Sequence, residues 1–214
     1  MYRKVEIIQM QIQLNGEQAL AAAIEEYYQL PKYQYIMDNI FRVDLSGEEN
    51  EIIRKYFNGY YNIRRNNDWL NNYYKVFEKK KVRANVVTFE EILEEISLGN
   101  MLEPSYASKM LATLNPEKPI WDSRVKSILE FNIQGNTREK KKKSIINIYY
   151  RIEETYKSYL ESAEGIRNIE LFDRIIGYKY PSLSKIRKLD FMIWGLGALR
   201  EDTFVKMLEV KQRN

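Results

Sequence analysis

The stretch Leu114–Leu129, LNPEKPIWDSRVKSIL, sets one tryptophan and one aspartate at a helix start. Pro116 and Pro119 keep the chain out of helix up to the Trp121–Asp122 step, because proline lacks an N–H and biases its predecessor toward extended backbone. Asp122 then suits the N-cap of a helix beginning SRVKSILEF, its carboxylate accepting a backbone N–H of the first turn. The cap reading accounts for the residue type by itself. The second reading is a carboxylate placed to act on a substrate.

Outward from this stretch, helical periodicity dominates and predicts an all-α fold. Ala19–Leu30 is rich in helix formers and is expected to stop before Pro31. Ser46 ahead of GEENEIIRKYF reads as an N-cap with an acidic first turn. Thr88 and Glu91 have capping-box spacing and open FEEILEEISL. Further helices are expected from about Ser105 to Leu114, from Ser123, and from near Arg138 to Leu160. Leu189, Met192, Ile193 and Leu196 mark the apolar face of a late helix. Only the alternation Ile8, Met10, Ile12, Leu14 hints at a strand.

Composition narrows the chemistry. The 214 residues are 44% hydrophobic and 30% charged, enough for a packed core under a polar surface. There is no cysteine, which excludes disulfides, thiol nucleophiles, cysteine-ligated zinc and iron–sulfur clusters. There is no histidine, which excludes Ser-His-Asp catalysis and histidine-bound metals. A carboxylate-only site for magnesium or calcium stays open, but no EF-hand loop or P-loop is found, and no cofactor is expected. Acid–base work falls to Asp, Glu, Lys or Tyr. The N-terminal run is interrupted by Glu6, Gln9, Gln11 and Gln13, no apolar stretch is long enough to span a bilayer, and the chain reads as cytoplasmic with no membrane partner.

The excess of 34 Lys+Arg over 30 Asp+Glu is small, so any basic surface is local. Two clusters supply candidates: Lys79–Arg83 (KKKVR) and the run Lys140, Lys141, Lys142 and Lys143 that follows Arg138 and Glu139. Each is either a solvated face or a set of phosphate contacts. The 17 tyrosines fit either base stacking or, as expected of a helical protein, half-buried positions with surface hydroxyls.

The segment Tyr106-Ala107-Ser108-Lys109-Met110-Leu111 followed by Pro119-Ile120-Trp121-Asp122 resembles the catalytic segment of the helix-hairpin-helix (HhH-GPD) DNA glycosylase superfamily. SKML, NPEKPIWDSRV and the downstream LDFMIWGLG are most similar to a bacterial branch described as 8-oxoguanine DNA glycosylase-like. The match covers about 30 residues and that downstream piece, counted on the sequence itself.

The resemblance implies a two-lobed helical fold. One lobe would be the central segment 46–114, ending in a hairpin-like stretch; the other would pair 1–45 with 115–214 and carry Asp122. It implies a DNA partner and removal of a damaged base, with Asp122 stabilising the developing sugar cation. Ser105 occupies the position of the family's amine nucleophile, which favours a monofunctional enzyme. Lys109, one turn on, could lean over Ser105, giving lyase chemistry if it reaches the site. Both fall opposite the apolar stripe of their helix, where a solvated lysine is the ordinary outcome. Trp121 and Trp194 are candidate walls for a flipped base, core packing being the ordinary reading of Trp194. Arg124 and Lys126 are candidate phosphate contacts, Arg124 alternatively a partner for Asp122. The chain departs from the superfamily in lacking hairpin glycines: Leu102-Glu103-Pro104-Ser105-Tyr106 stands there, and Glu103 would repel a phosphate. Gly99 is expected to end the preceding helix. The other reading is a non-catalytic nucleic-acid- or protein-binding module on the same helical fold.

Overall fold

A computed structural model of the chain describes residues 29–47, 50–99 and 101–197. All regular structure among the described residues is helical, and no strand occurs there. The Ile8–Leu14 alternation and most of the Ala19–Leu30 segment lie outside the described residues.

The helices are α1 (Leu30–Asn39), α2 (Glu51–Tyr61), α3 (Asn67–Lys81), α4 (Phe89–Ile96), α5 (Pro104–Leu114), α6 (Ser123–Leu129), α7 (Arg138–Glu161), α8 (Ala163–Ile175) and α9, which runs from 185 through 197. A 3-10 turn, Gly177–Lys179, packs back on α8. Several starts follow the sequence signals. Thr88 Oγ1 accepts the Glu91 N–H at 3.3 Å to open α4, and Asp122 opens α6. Two starts differ. Pro31 lies in the first turn of α1, where its missing N–H has no partner to lose. Ser46 does not cap α2; its N–H and hydroxyl both bond Asp44 Oδ1, at 2.7 and 2.6 Å, in a local turn, and Asn50 is the cap residue.

The chain forms two units. The described residues of the first lie within 29–121 and 133–149, and those of the second within 122–132 and 150–197. The expected central lobe, 46–114, falls inside the first unit, and Asp122 belongs to the second. Helix α7 contributes to both.

In the first unit, α1 packs on α2, α4 on α5, and α3 on both α4 and α5. Phe57 meets the rings of Tyr61, Tyr74 and Phe77, and Phe89 stacks on Tyr149 at 3.9 Å. The tyrosines depart from the expectation of surface hydroxyls. Tyr73 donates to the Tyr106 carbonyl, Tyr74 to Asn58, and Tyr149 to the Pro119 carbonyl, all from buried rings. Burying the hydroxyl is tolerable because each finds an acceptor. In the second unit the buried faces are Val125, Ile128 and Leu129 of α6, Ile152, Tyr156 and Tyr159 of α7, Ile169 and Phe172 of α8, and Leu189, Met192, Ile193 and Leu196 of α9.

Helix α5 is buried on every side from Ala107 to Leu114. Its polar groups must therefore be satisfied internally. Thr113 Oγ1 donates to the Lys109 carbonyl and meets the Tyr61 hydroxyl, at 2.8 and 2.9 Å. Ser108 Oγ accepts the Trp121 N–H at 2.9 Å, and its proton lies between the carbonyls of Ser105 and Trp121, at 2.9 and 3.2 Å. This hydroxyl fastens the end of the prolyl loop to α5. Ser108→Ala leaves a buried N–H without its acceptor and is expected to destabilise the fold by about 1–3 kcal/mol. Urea denaturation of the two proteins checks this; an unchanged midpoint would mean that the hydroxyl is dispensable to the loop.

Candidate functional site

Asp122 is a helix cap. Its backbone is extended, at φ −137° and ψ −171°, and Oδ1 accepts the Val125 N–H at 2.9 Å. The side chain is half-exposed, and Oδ2 receives no hydrogen bond among the described residues. Capping thus engages one carboxylate oxygen and leaves the other available. Trp121, one residue earlier, is buried, with its backbone held by Ser108.

The second unit surrounds Asp122 with two further features. Arg124 lays its guanidinium over the Trp194 ring, 5.8 Å from the centroid. Gly197 makes that approach possible, since a Cβ there would stand 2.7 Å from Arg124 Cβ and 2.9 Å from Cγ. The last glycine of the LDFMIWGLG piece therefore has a packing role. Trp194 itself is half-buried, whereas its helix neighbours Leu189, Met192, Ile193 and Leu196 are buried. At 100° per residue it falls about 150° from the centre of their stripe, on the opposite side of the helix, so packing within that stripe does not describe it.

The other feature is a buried polar network. Tyr156 donates to Asp190 Oδ1 at 2.9 Å, and Arg187 pairs with Asp190 Oδ2 at 2.8 Å. Arg187 is only 1% exposed. Burial first, then the Asp190 carboxylate, with Asp122 adding in the same direction, pushes the Tyr156 hydroxyl well above the ordinary tyrosine value; Arg187 pulls weakly the other way. Tyr156 is therefore a neutral donor held within the electrostatic reach of Asp122. Sequence reasoning missed this network. Arg187 and Asp190 have helix-pair spacing, but Tyr156 lies 34 residues away and no local pattern joins it to them.

In the first unit, Ser105 stands half-buried in the first turn of α5. Lys109 is 6% exposed, which corrects the expectation of a solvated side chain. The reason is the all-round burial of α5, which leaves no solvent face at that position. Its ammonium lies over the Tyr106 ring, 5.5 Å from the centroid. Arg65 covers the same ring at 5.2 Å and pairs with Glu103, so the hairpin glutamate is neutralised by an arginine that no sequence motif marks. Gly99 does not end α4, whose cap residue is Ser97. It adopts φ +58° within a turn closed by the Met101 N–H on the Leu98 carbonyl at 3.2 Å.

The basic clusters divide into internal and open cations. Lys80 is buried and pairs with Glu91 and Glu95 of α4. Lys81 pairs with Glu78 at 2.6 Å. Lys142 and Arg138 both pair with Glu94 of α4. Lys79, Lys126, Lys140, Lys141 and Lys143 are exposed. Lys142 is therefore a structural ion pair, and the run is not a uniform phosphate-binding set. No group of His, Cys, Asp and Glu among the described residues is placed to hold a metal ion. No described helix is long and apolar enough to cross a membrane.

Compared with protein-family models, with curated proteins and with solved structures, the chain matches none.

Two outcomes follow from this geometry. Asp122→Ala removes the cap and is expected to cost about 1 kcal/mol of stability, whereas Asp122→Asn keeps a competent cap and is expected to cost little. Thermal melts of both variants check the difference. Hydrogen bonding from Lys142 chiefly, with Arg138 adding charge, holds the Glu94 carboxyl below its ordinary value. Its contribution to stability is therefore full above the ordinary glutamate pKa and is lost as pH falls through the lowered folded value. Glu94→Gln is expected to destabilise the protein at neutral pH and to flatten the acid limb of its stability profile. Unfolding midpoints across pH 2–7 check it, and parallel profiles would sink it.

Proposed function

We propose that the chain is a monofunctional DNA glycosylase that hydrolyses the N-glycosidic bond of a damaged base, an oxidised purine being the favoured class. The observation that carries this reading is the Asp122 carboxylate, fixed by one oxygen on the Val125 N–H while Oδ2 receives no hydrogen bond among the described residues. A carboxylate immobilised in this way is preorganised to stabilise charge that develops only in the transition state. The resemblance of Pro119-Ile120-Trp121-Asp122 to the helix-hairpin-helix glycosylase segment supports the same assignment.

In this mechanism the bond between C1′ and the base nitrogen breaks and its electron pair leaves with the base. The sugar cation forms opposite Asp122 Oδ2. A water oxygen bonds to C1′, its proton passes to the carboxylate or to solvent, and the departing base takes up a proton. Ser105 and a buried Lys109 favour water over an amine as nucleophile. The Trp194 ring, half-buried beneath Arg124, is a surface on which an extruded base can stack once the guanidinium moves to a phosphate. Lys126, Lys140, Lys141 and Lys143 are the open cations for phosphate contact.

A second reading, a non-catalytic nucleic-acid- or protein-binding module, is favoured by one feature: Glu103 and its Arg65 partner stand where the superfamily has hairpin glycines.

The deciding experiment measures base release from duplexes carrying 8-oxoguanine, uracil, alkylated bases or adenine opposite 8-oxoguanine. Wild type is expected to act on at least one oxidised duplex and Asp122→Asn on none, with DNA affinity retained. Equal turnover by the variant would overturn the role of Asp122. Binding without release by wild type would favour the binding module. Replacing Lys140, Lys141 and Lys143 by Ala is expected to lower the slope of log affinity against log salt by about 0.9 for each phosphate that is no longer neutralised. An unchanged slope would return the run to solvated surface.

A further inference from the structure

The outer face of α2 carries apolar side chains that the core does not use. Ile52 is 64% exposed and Tyr56 43%, and they stand one turn apart on the helix. Gly59, also exposed, continues their stripe. Tyr35 of α1, itself exposed, packs its ring against Tyr56 with centroids 4.4 Å apart. That contact holds the Tyr56 ring in place and lowers the ordering cost of anything that docks on it.

Gly59 is a second, separate observation. Glycine weakens a helix interior relative to alanine, because it loses more backbone freedom on folding. Its φ here is not in the left-handed region, and a Cβ built on it meets no described atom within 4 Å. Neither backbone conformation nor internal packing therefore asks for glycine at this position. What it does leave is a notch beside Tyr56, open to solvent, that lets another chain approach the backbone closely.

Charge points to the occupant. Glu51 opens α2 and Arg64 stands just past its end, both exposed. A second α2 running antiparallel sets Glu51 of each copy against Arg64 of the other and opposes the two helix dipoles. In the same register Tyr56 of each copy lies over Gly59 of the other, since Glu51 is five residues before Tyr56 and Arg64 five after Gly59. Each contact is made twice, as a two-fold axis requires. Nucleic acid fits this face less well. Its cation, Lys55, is paired with Glu51 at 3.1 Å, and Asp38, one turn from Tyr35, is exposed as well.

We propose that this face is a two-fold interface between copies of the chain, with α2 packed antiparallel on α2 of the second copy. Tyr56 covers the Gly59 notch and Glu51 meets Arg64. The inference does not depend on the glycosylase reading.

Sedimentation equilibrium of the full chain tests it. Wild type is expected to pass from monomer to dimer between about 1 µM and about 1 mM. Gly59→Gln fills the notch and is expected to raise the dissociation constant at least about tenfold. The same variant is expected to keep or raise the unfolding midpoint of the dilute monomer, because glutamine is the better helix former. Glu51→Arg and Arg64→Glu are each expected to weaken the dimer, and the chain carrying both is expected to regain it. Wild type that stays monomeric throughout the range would overturn the interface. A dimer that none of these substitutions weakens would overturn its placement on α2. Weakening by both single charge variants without recovery in the double variant would overturn the antiparallel register.

Discussion

The burial of α5 on every side is the constraint on which the polar contacts of the first unit depend. A helix with no solvent face must give each polar group an internal partner, and Ser108 does so by gripping the backbone of Trp121. The prolyl loop therefore ends at a fixed point, and Asp122 enters α6 one residue later. The same burial removes Lys109 from water and leaves its ammonium against the Tyr106 ring. The hydroxyl that secures the loop and the amine withdrawn from solvent are consequences of one packing fact.

Charge in the first unit is organised by α4. Its glutamates draw Lys80 inward on one side and Arg138 with Lys142 on the other. Both basic segments of the sequence are thereby split. Part of each folds the protein, and part remains at the surface. A lysine run read as a single object overstates the number of cations free to meet a ligand, because pairing depends on carboxylates that are distant in sequence. The more exposed pairs, those of Glu94, contribute little individually, about 1 kcal/mol or less; their effect here is on which cations stay open.

Much of the helical organisation was legible because it depends on local rules. Thr88 with Glu91, Asp122 after two prolines, and the Leu189–Leu196 periodicity each marked an element that the structure contains. Ser46 misled because a serine hydroxyl serves a local turn as readily as a cap, and Asp44 lay within reach. For the site, the capping geometry of Asp122 was readable from the sequence. The Tyr156–Asp190–Arg187 network, the Arg65–Glu103 pair and the dependence of Arg124 on Gly197 were not. Each joins residues far apart in the chain, and no spacing rule connects them.

The buried tyrosines have a consequence at alkaline pH. Burial raises the phenols of Tyr73, Tyr74, Tyr156 and Tyr159 above the ordinary tyrosine value. While folded, these rings stay protonated through the range in which free phenols, near pKa 10, become phenolates. Their contribution to stability is complete below that value and declines as the pH climbs toward the folded one. The phenolate absorbance of these four rings is thus a built-in optical record of unfolding in base: they stay protonated in the native chain and ionise together when the core opens.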